Sequence, residues 1–241
     1  MDEAMEVGEN KADQRDSRDR WTPNLTPGRI EALTDGVFAI AMTIIVLELS
    51  VPYLLGPSPL GEHPTSFLEM WQEFYIYVVG FITLGIYWIL HRYMFFFIQR
   101  SDGVLIWLNI LFLMLASMVP FSTKVLSANA ALLPRAQGEA NAATAFFAVT
   151  TMATILMLLV IWRYATRGYR LVDPDIDERI IPALTRVILI GVTINAIGVA
   201  VSYVFPWAGL LSFVAMAFMI IATAYGRYRP VEGRTATPKQ A

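Results

Sequence analysis

Few side chains in this sequence could carry chemistry, and their kinds narrow what that chemistry can be. None of the 241 residues is cysteine, which excludes a thiolate nucleophile, a disulfide framework and a Cys-based zinc or iron-sulfur site. The two histidines, His63 and His91, belong to no HExxH pattern, so metal-assisted or nucleophilic catalysis has no constellation to work with. The chain is therefore read as neither an enzyme nor a cofactor or metal binder. What remains is a set of polar residues set in apolar sequence. Thr34 and Asp35 lie in RIEALTDGVFAIAMTIIVLEL (29–49), His91 in YWILHR (87–92) and Asn109 in LNILFL (108–113). A carboxylate at the centre of a membrane span costs on the order of 2.5–3.5 kcal/mol. It is cheaper to bury beside an imidazole, amide or hydroxyl that hydrogen-bonds to it. Such a group can join helices, pass a proton or bind a cation.

The elements that position these residues are membrane spans. Hydrophobic residues make up 56% of the chain, charged residues only 16%, and the mean hydropathy is +0.53, which together indicate an integral membrane protein. The net charge of -2 and the scattering of basic residues give no case for a nucleic-acid partner. Apolar stretches of about 20 residues, the length that crosses a bilayer core of about 30 Å, occur at 29–49, 67–91, 103–122, 141–163, 182–203 and 207–226. Thr26-Pro27, the box Ser66-Phe67-Leu68-Glu69 and Pro206 are suited to open three of them. The expected fold is an all-α membrane protein, a six-helix bundle over 29–226, between disordered cytoplasmic tails at 1–28 and 227–241. Of the 18 Lys and Arg residues, all but Lys124 and Arg135 fall on one side of this arrangement, which puts both termini in the cytoplasm.

With that topology Thr34, Asp35, His91 and Asn109 share the cytoplasmic third of the bundle. The economical reading is a polar staple joining spans 1, 2 and 3. A proton relay or cation site using Asp35 and His91 is the alternative, as is a solvated mouth. Around span 1, Leu33, Gly36, Ile40, Thr43, Ile44 and Leu47 fall on one stripe, and Asp35 lies about 140° from Ile40 at 3.6 residues per turn. Taken alone, such a stripe is a packing or lipid-facing surface. Glu48 reads as an acid snorkelling at the outer interface. Gly191, Asn195, Ala196, Gly198 and Ser202 read as helix-packing positions, which also fits a plain membrane scaffold.

Span 1 resembles the N-terminal signature of the bacterial TMEM175 family of potassium channels, in which an arginine is followed after three residues by Phe-Ser-Asp. Here Arg29 is followed, after Ile30-Glu31-Ala32, by Leu33-Thr34-Asp35, with leucine in the aromatic position. YWILHR, LNILFL and VPFST (119–123) extend the resemblance through spans 2 and 3. The resemblance implies a homotetramer in membrane lipid, with four copies of span 1 around a central pore and no carbonyl filter of the TVGYG type. It implies potassium conduction, weakly selective over sodium, through a hydrophobic filter with Ile40 at the narrow point, Ile44 and Leu47 further out, and Thr43 contributing to selectivity. Permeating potassium then passes near Ile40 and Thr43. Arg29, Thr34, Asp35, His91 and Asn109 become the network that anchors the pore helix. A proton channel or proton-coupled transporter using Asp35 and His91 is the rival function.

Overall fold

The computed structural model describes residues 26–47, 49, 67–130 and 137–202. Pro27 opens α1 (Pro27–Leu47), where its fixed φ suits a first helical turn and its missing N–H costs nothing. The Arg29 amide bonds back to the Thr26 carbonyl at 2.9 Å. α2 (Phe67–Phe97) is the longest helix, at 31 residues. α3 (Gly103–Ser117) starts at Asp102, whose carboxylate accepts from the Leu105 amide at 2.8 Å and caps the helix. α4 (Val119–Ala130) follows after a break at Met118. Pro120 causes the break: it cannot donate to the carbonyl four residues back, and the chain tightens so that the Met118 amide bonds to the Leu115 carbonyl at 3.1 Å. α5 (Gln137–Thr166) runs into a short 3-10 turn, Arg167–Tyr169, and α6 (Ile180–Ser202) closes the described chain.

The six-span expectation is corrected here. Among the described residues, five helical stretches are long and apolar enough to cross a membrane: Pro27–Leu47, Glu73–Phe97, Gly103–Ala128, Ala142–Tyr169 and Ile180–Gly198. Hydropathy establishes that a segment has bilayer length, not that it takes a place in the bundle, and the stretch at 207–226 lies outside the described residues. So do Glu48, His63 and Arg135. The third stretch is longer than its apolar run suggested, because α4 continues α3 beyond the Pro120 break.

α5 packs against α3, α4 and α6 and more lightly on α2, whereas α1 packs on α2, α3 and α4, at one edge of the bundle. Phe38, Tyr87, Phe112, Phe147 and Trp162 are the largest side chains of the core. Between α5 and α6, Gly191, Asn195 and Gly198 share the buried face of α6, and the Asn195 amide donates to Thr151 Oγ1 at 3.2 Å. Ala196, grouped with them in the sequence, points outward.

A clasp ties one end of the bundle together. An antiparallel bridge pairs Ile98 with Val172, and the Gln99 and Arg100 amides both reach the Leu171 carbonyl, at 2.9 and 3.1 Å. Asp102 accepts from Tyr164 Oη and Arg170, each at 2.6 Å. The end of α2, the start of α3, the end of α5 and the approach to α6 therefore lie at one face of the membrane. The start of α1 lies there too, because Arg92 on α2 pairs with Glu31 at 2.5 Å.

Candidate pore-lining site

α1 has two unlike halves. Ile30, Thr34, Phe38, Ala41 and Ile45 recur every three or four residues and are buried against α2, α3 and α4. Leu33, Gly36, Ile40, Thr43, Ile44 and Leu47 are exposed on the other side. The contrast is large for aliphatic residues of one helix: Ile40 is 60% and Leu47 78% exposed, against 1% for Phe38 and Ile45. The stripe predicted from the 3.6-residue period is thus present and largely open within the described chain. Thr43 has a distinct chemistry on it. Its hydroxyl donates into its own helix, to the carbonyls of Ala39 and Ile40 at 3.0 and 2.8 Å. With the proton directed inward, the oxygen lone pairs face the open side and can meet a cation.

The buried half is held by a directional hydrogen-bond chain. His91 Nε2 donates to Asn109 Oδ1 at 2.8 Å, Asn109 Nδ2 donates to Thr34 Oγ1 at 3.3 Å, and Thr34 donates to the Ile30 carbonyl at 2.9 Å. The amide of Asn109 can take both roles only with the His91 proton on Nε2. All three side chains are buried, and a ring column stands beside them: Phe38 stacks on Phe112 at 5.7 Å, and His91 stacks on Phe112 at 5.4 Å and on Phe95 at 4.2 Å. Three of the expected staple residues are therefore brought together across α1, α2 and α3.

Asp35 and Arg29 are not part of that chain. Asp35 is exposed, at the edge of the open half, and accepts from Trp88 Nε1 at 2.7 Å. The buried anchor expected at Asp35 is corrected to a partly open pair with an indole. The reason is rotation: position 34 faces inward, and its neighbour is carried about 100° around a helix of 3.6 residues per turn. Arg29 is exposed, and among the described residues Arg92, not Arg29, pairs with Glu31, near the start of α1. Trp88 was the residue missed by sequence reasoning. It lies inside YWILHR, nearly one turn before His91, and an indole N–H near a carboxylate was the available signal. Among the described residues no group of three or more His, Asp or Glu side chains is placed to hold a metal ion.

Comparison with known proteins bears on what this helix does. Residues 29–120 match the family model described as endosomal/lysosomal potassium channel TMEM175. A potassium channel of Streptomyces collinus is 35% identical over 150 residues, covering 62% of this chain and 69% of the relative. A potassium channel of Chamaesiphon minutus is 30% identical over 199 residues, covering 82% and 95%. The crystal structure of a lysosomal potassium-selective channel TMEM175 homolog from the same organism superposes with a TM-score of 0.68 at 27% identity, covering 81% of this chain and 96% of that one.

Proposed function

This chain belongs to the TMEM175 family, and from that membership we propose that it conducts potassium, with weak selectivity over sodium, through a pore lined by α1. At the family level it is a membrane-embedded cation channel, not an enzyme. The proposed assembly is a homotetramer with four α1 stripes around one axis and both termini in the cytoplasm of a bacterial cell. The observation that carries the reading is the open half of α1. A membrane helix at the edge of its bundle exposes Ile40, Thr43, Ile44 and Leu47 in one stripe while its opposite face is locked to three neighbours. Four Ile40 side chains around an axis make a constriction that sheds water, and a cation crosses it only by giving up part of its hydration shell. The outward Thr43 oxygens offer partial replacement of that shell. Leu33, in the family's aromatic position, lies on the same open half, so its replacement alters the surface between copies and leaves the core untouched.

A proton relay through Asp35 and His91 gains no support from this geometry, because the acid and the imidazole belong to separate hydrogen-bonded pairs. The test is flux. Purified protein in liposomes is expected to dissipate a potassium gradient faster than an equal sodium gradient, and Ile40→Asn is expected to raise conductance and admit larger cations. Absence of cation flux from tetrameric protein sinks the channel reading, and an unchanged Ile40→Asn current removes the constriction from α1.

A further inference from the structure

We infer that Gly80 is a positioning residue for the pore helix: its missing side chain sets how far α1 stands back from the conduction path. The inference rests on the pore reading above but concerns a residue on α2 that touches neither the stripe nor a permeating ion. A Cβ at Gly80 would lie 2.6 Å from Ile45 Cδ1, 2.8 Å from Thr123 Oγ1 and 3.1 Å from Thr123 Cγ2. Carbon atoms in good contact stand about 3.5–4.0 Å apart, so a methyl group there forces something to move. The other described glycines on α1 and α2 are roomier. A Cβ on Gly85 would meet only Met42 Cε, at 3.9 Å, and one on Gly36 would meet nothing within 4 Å. At Gly80, side chains of both α1 and α4 thus crowd the backbone of α2.

Both neighbours are buried. Thr123 is buried and its hydroxyl is tied to the Val119 carbonyl at 2.8 Å. Ile45 is 1% exposed, inside the core. The open side of the junction is the far side of α1. Ile45 adjoins Ile44 in the chain and lies about 140° around the helix from Ile40 at 3.6 residues per turn. A push delivered at Ile45 therefore drives the Ile40, Thr43 and Leu47 side of α1 outward, toward the proposed axis, where the described chain has nothing packed against it. Bulk at Gly80 narrows the pore from behind.

Three substitutions in the full-length protein, recorded as single channels in planar bilayers, test this. Gly80→Ala is expected to reduce potassium conductance several-fold and to disfavour rubidium and caesium relative to potassium. Ile45→Val deletes only the Cδ1 methyl that the new Cβ would strike, so the double variant is expected to recover conductance and cation ranking, and Ile45→Val alone to raise conductance. Gly85→Ala is expected to change neither. Gly80→Ala channels with wild-type conductance and ranking, a loss that Ile45→Val does not reverse, or an equal loss at Gly85, overturn the inference. Should Gly80→Ala fail to assemble, Ile45→Val alone decides, and wild-type conductance there overturns it. Ile40→Asn in the same recordings separates the two readings. If it too changes nothing, the α1 pore falls; if it acts while the Gly80 and Ile45 variants do not, only the positioning role falls.

Discussion

Asn109 uses both ends of its amide inside the bundle, accepting from His91 and donating to Thr34, and through it α3 holds α1 and α2. Asn109→Leu would keep the bulk but leave the buried His91 N–H without its acceptor, at a cost of about 1–3 kcal/mol for an unsatisfied buried group. The expected outcome is a lower melting temperature in detergent with the potassium to sodium preference retained; an unchanged melting temperature would show that the chain does not hold the helices. Thr34, His91 and Asn109 were legible in the sequence because their depth follows from span direction, and His91 and Asn109 are of types that few span positions carry. Asp35 was legible as an anomaly but not as a neighbour of Trp88. Depth along a helix says little about rotation toward a partner 53 residues away.

At the scale of elements, the clasp between the end of α2 and the turn after α5 converges on Asp102. The carboxylate caps α3 through the Leu105 amide and also accepts from Tyr164 and Arg170. Burial by itself would raise the Asp102 carboxyl, but the bonds from Tyr164, Leu105 and Arg170, together with the Arg170 charge, hold it below its ordinary value. A carboxyl depressed on folding contributes stability that is complete above its unfolded pKa and is lost as pH falls through the folded one. Melting temperature should therefore decline on acidification through and below the ordinary carboxylate range, and Asp102→Asn, which keeps the cap acceptor without the charge, should flatten that decline. Asp102→Ala loses the cap as well, a further cost of about 0.5–2 kcal/mol. Equal pH profiles for wild type and Asp102→Asn would remove Asp102 from the clasp. Asp102 was not among the helix starts read from the sequence, although an aspartate before an apolar run is such a signal. The Ile98 to Val172 bridge was not, because a backbone pairing of two short segments leaves no period in either.

At the scale of the molecule, the arrangement of the described helices leaves α1 with half its circumference open, while α5 packs on α2, α3, α4 and α6. Hydropathy placed the five membrane helices found among the described residues to within six residues at each end, since bilayer length and the apolar run impose each one separately. Which helices stand at an edge, as α1 does and as α6 does with α5 as its main neighbour, was not legible, because lipid-facing, copy-facing and pore-facing residues are all apolar. Exposure alone also fails to separate them: Val160 on α5 is 46% exposed and Ile40 on α1 60%. What separates them is convergence, since residues around a symmetry axis meet their own copies and residues facing lipid do not. The cysteine-free chain allows a direct measurement. Single cysteines at Ile40, Leu47 and Val160, treated in membranes with a short bismaleimide, are expected to give cross-linked dimers and higher species at Ile40 and Leu47 but monomers at Val160. The buried side of α1 supplies the matched control: Ile45→Cys lies in the same helix and should not cross-link. Strong cross-linking at Val160 with none at Leu47 would turn the bundle around and put α5 at the axis. Cross-linking at Leu47 without Ile40 would place the closest approach of the copies further along α1 than the proposed constriction.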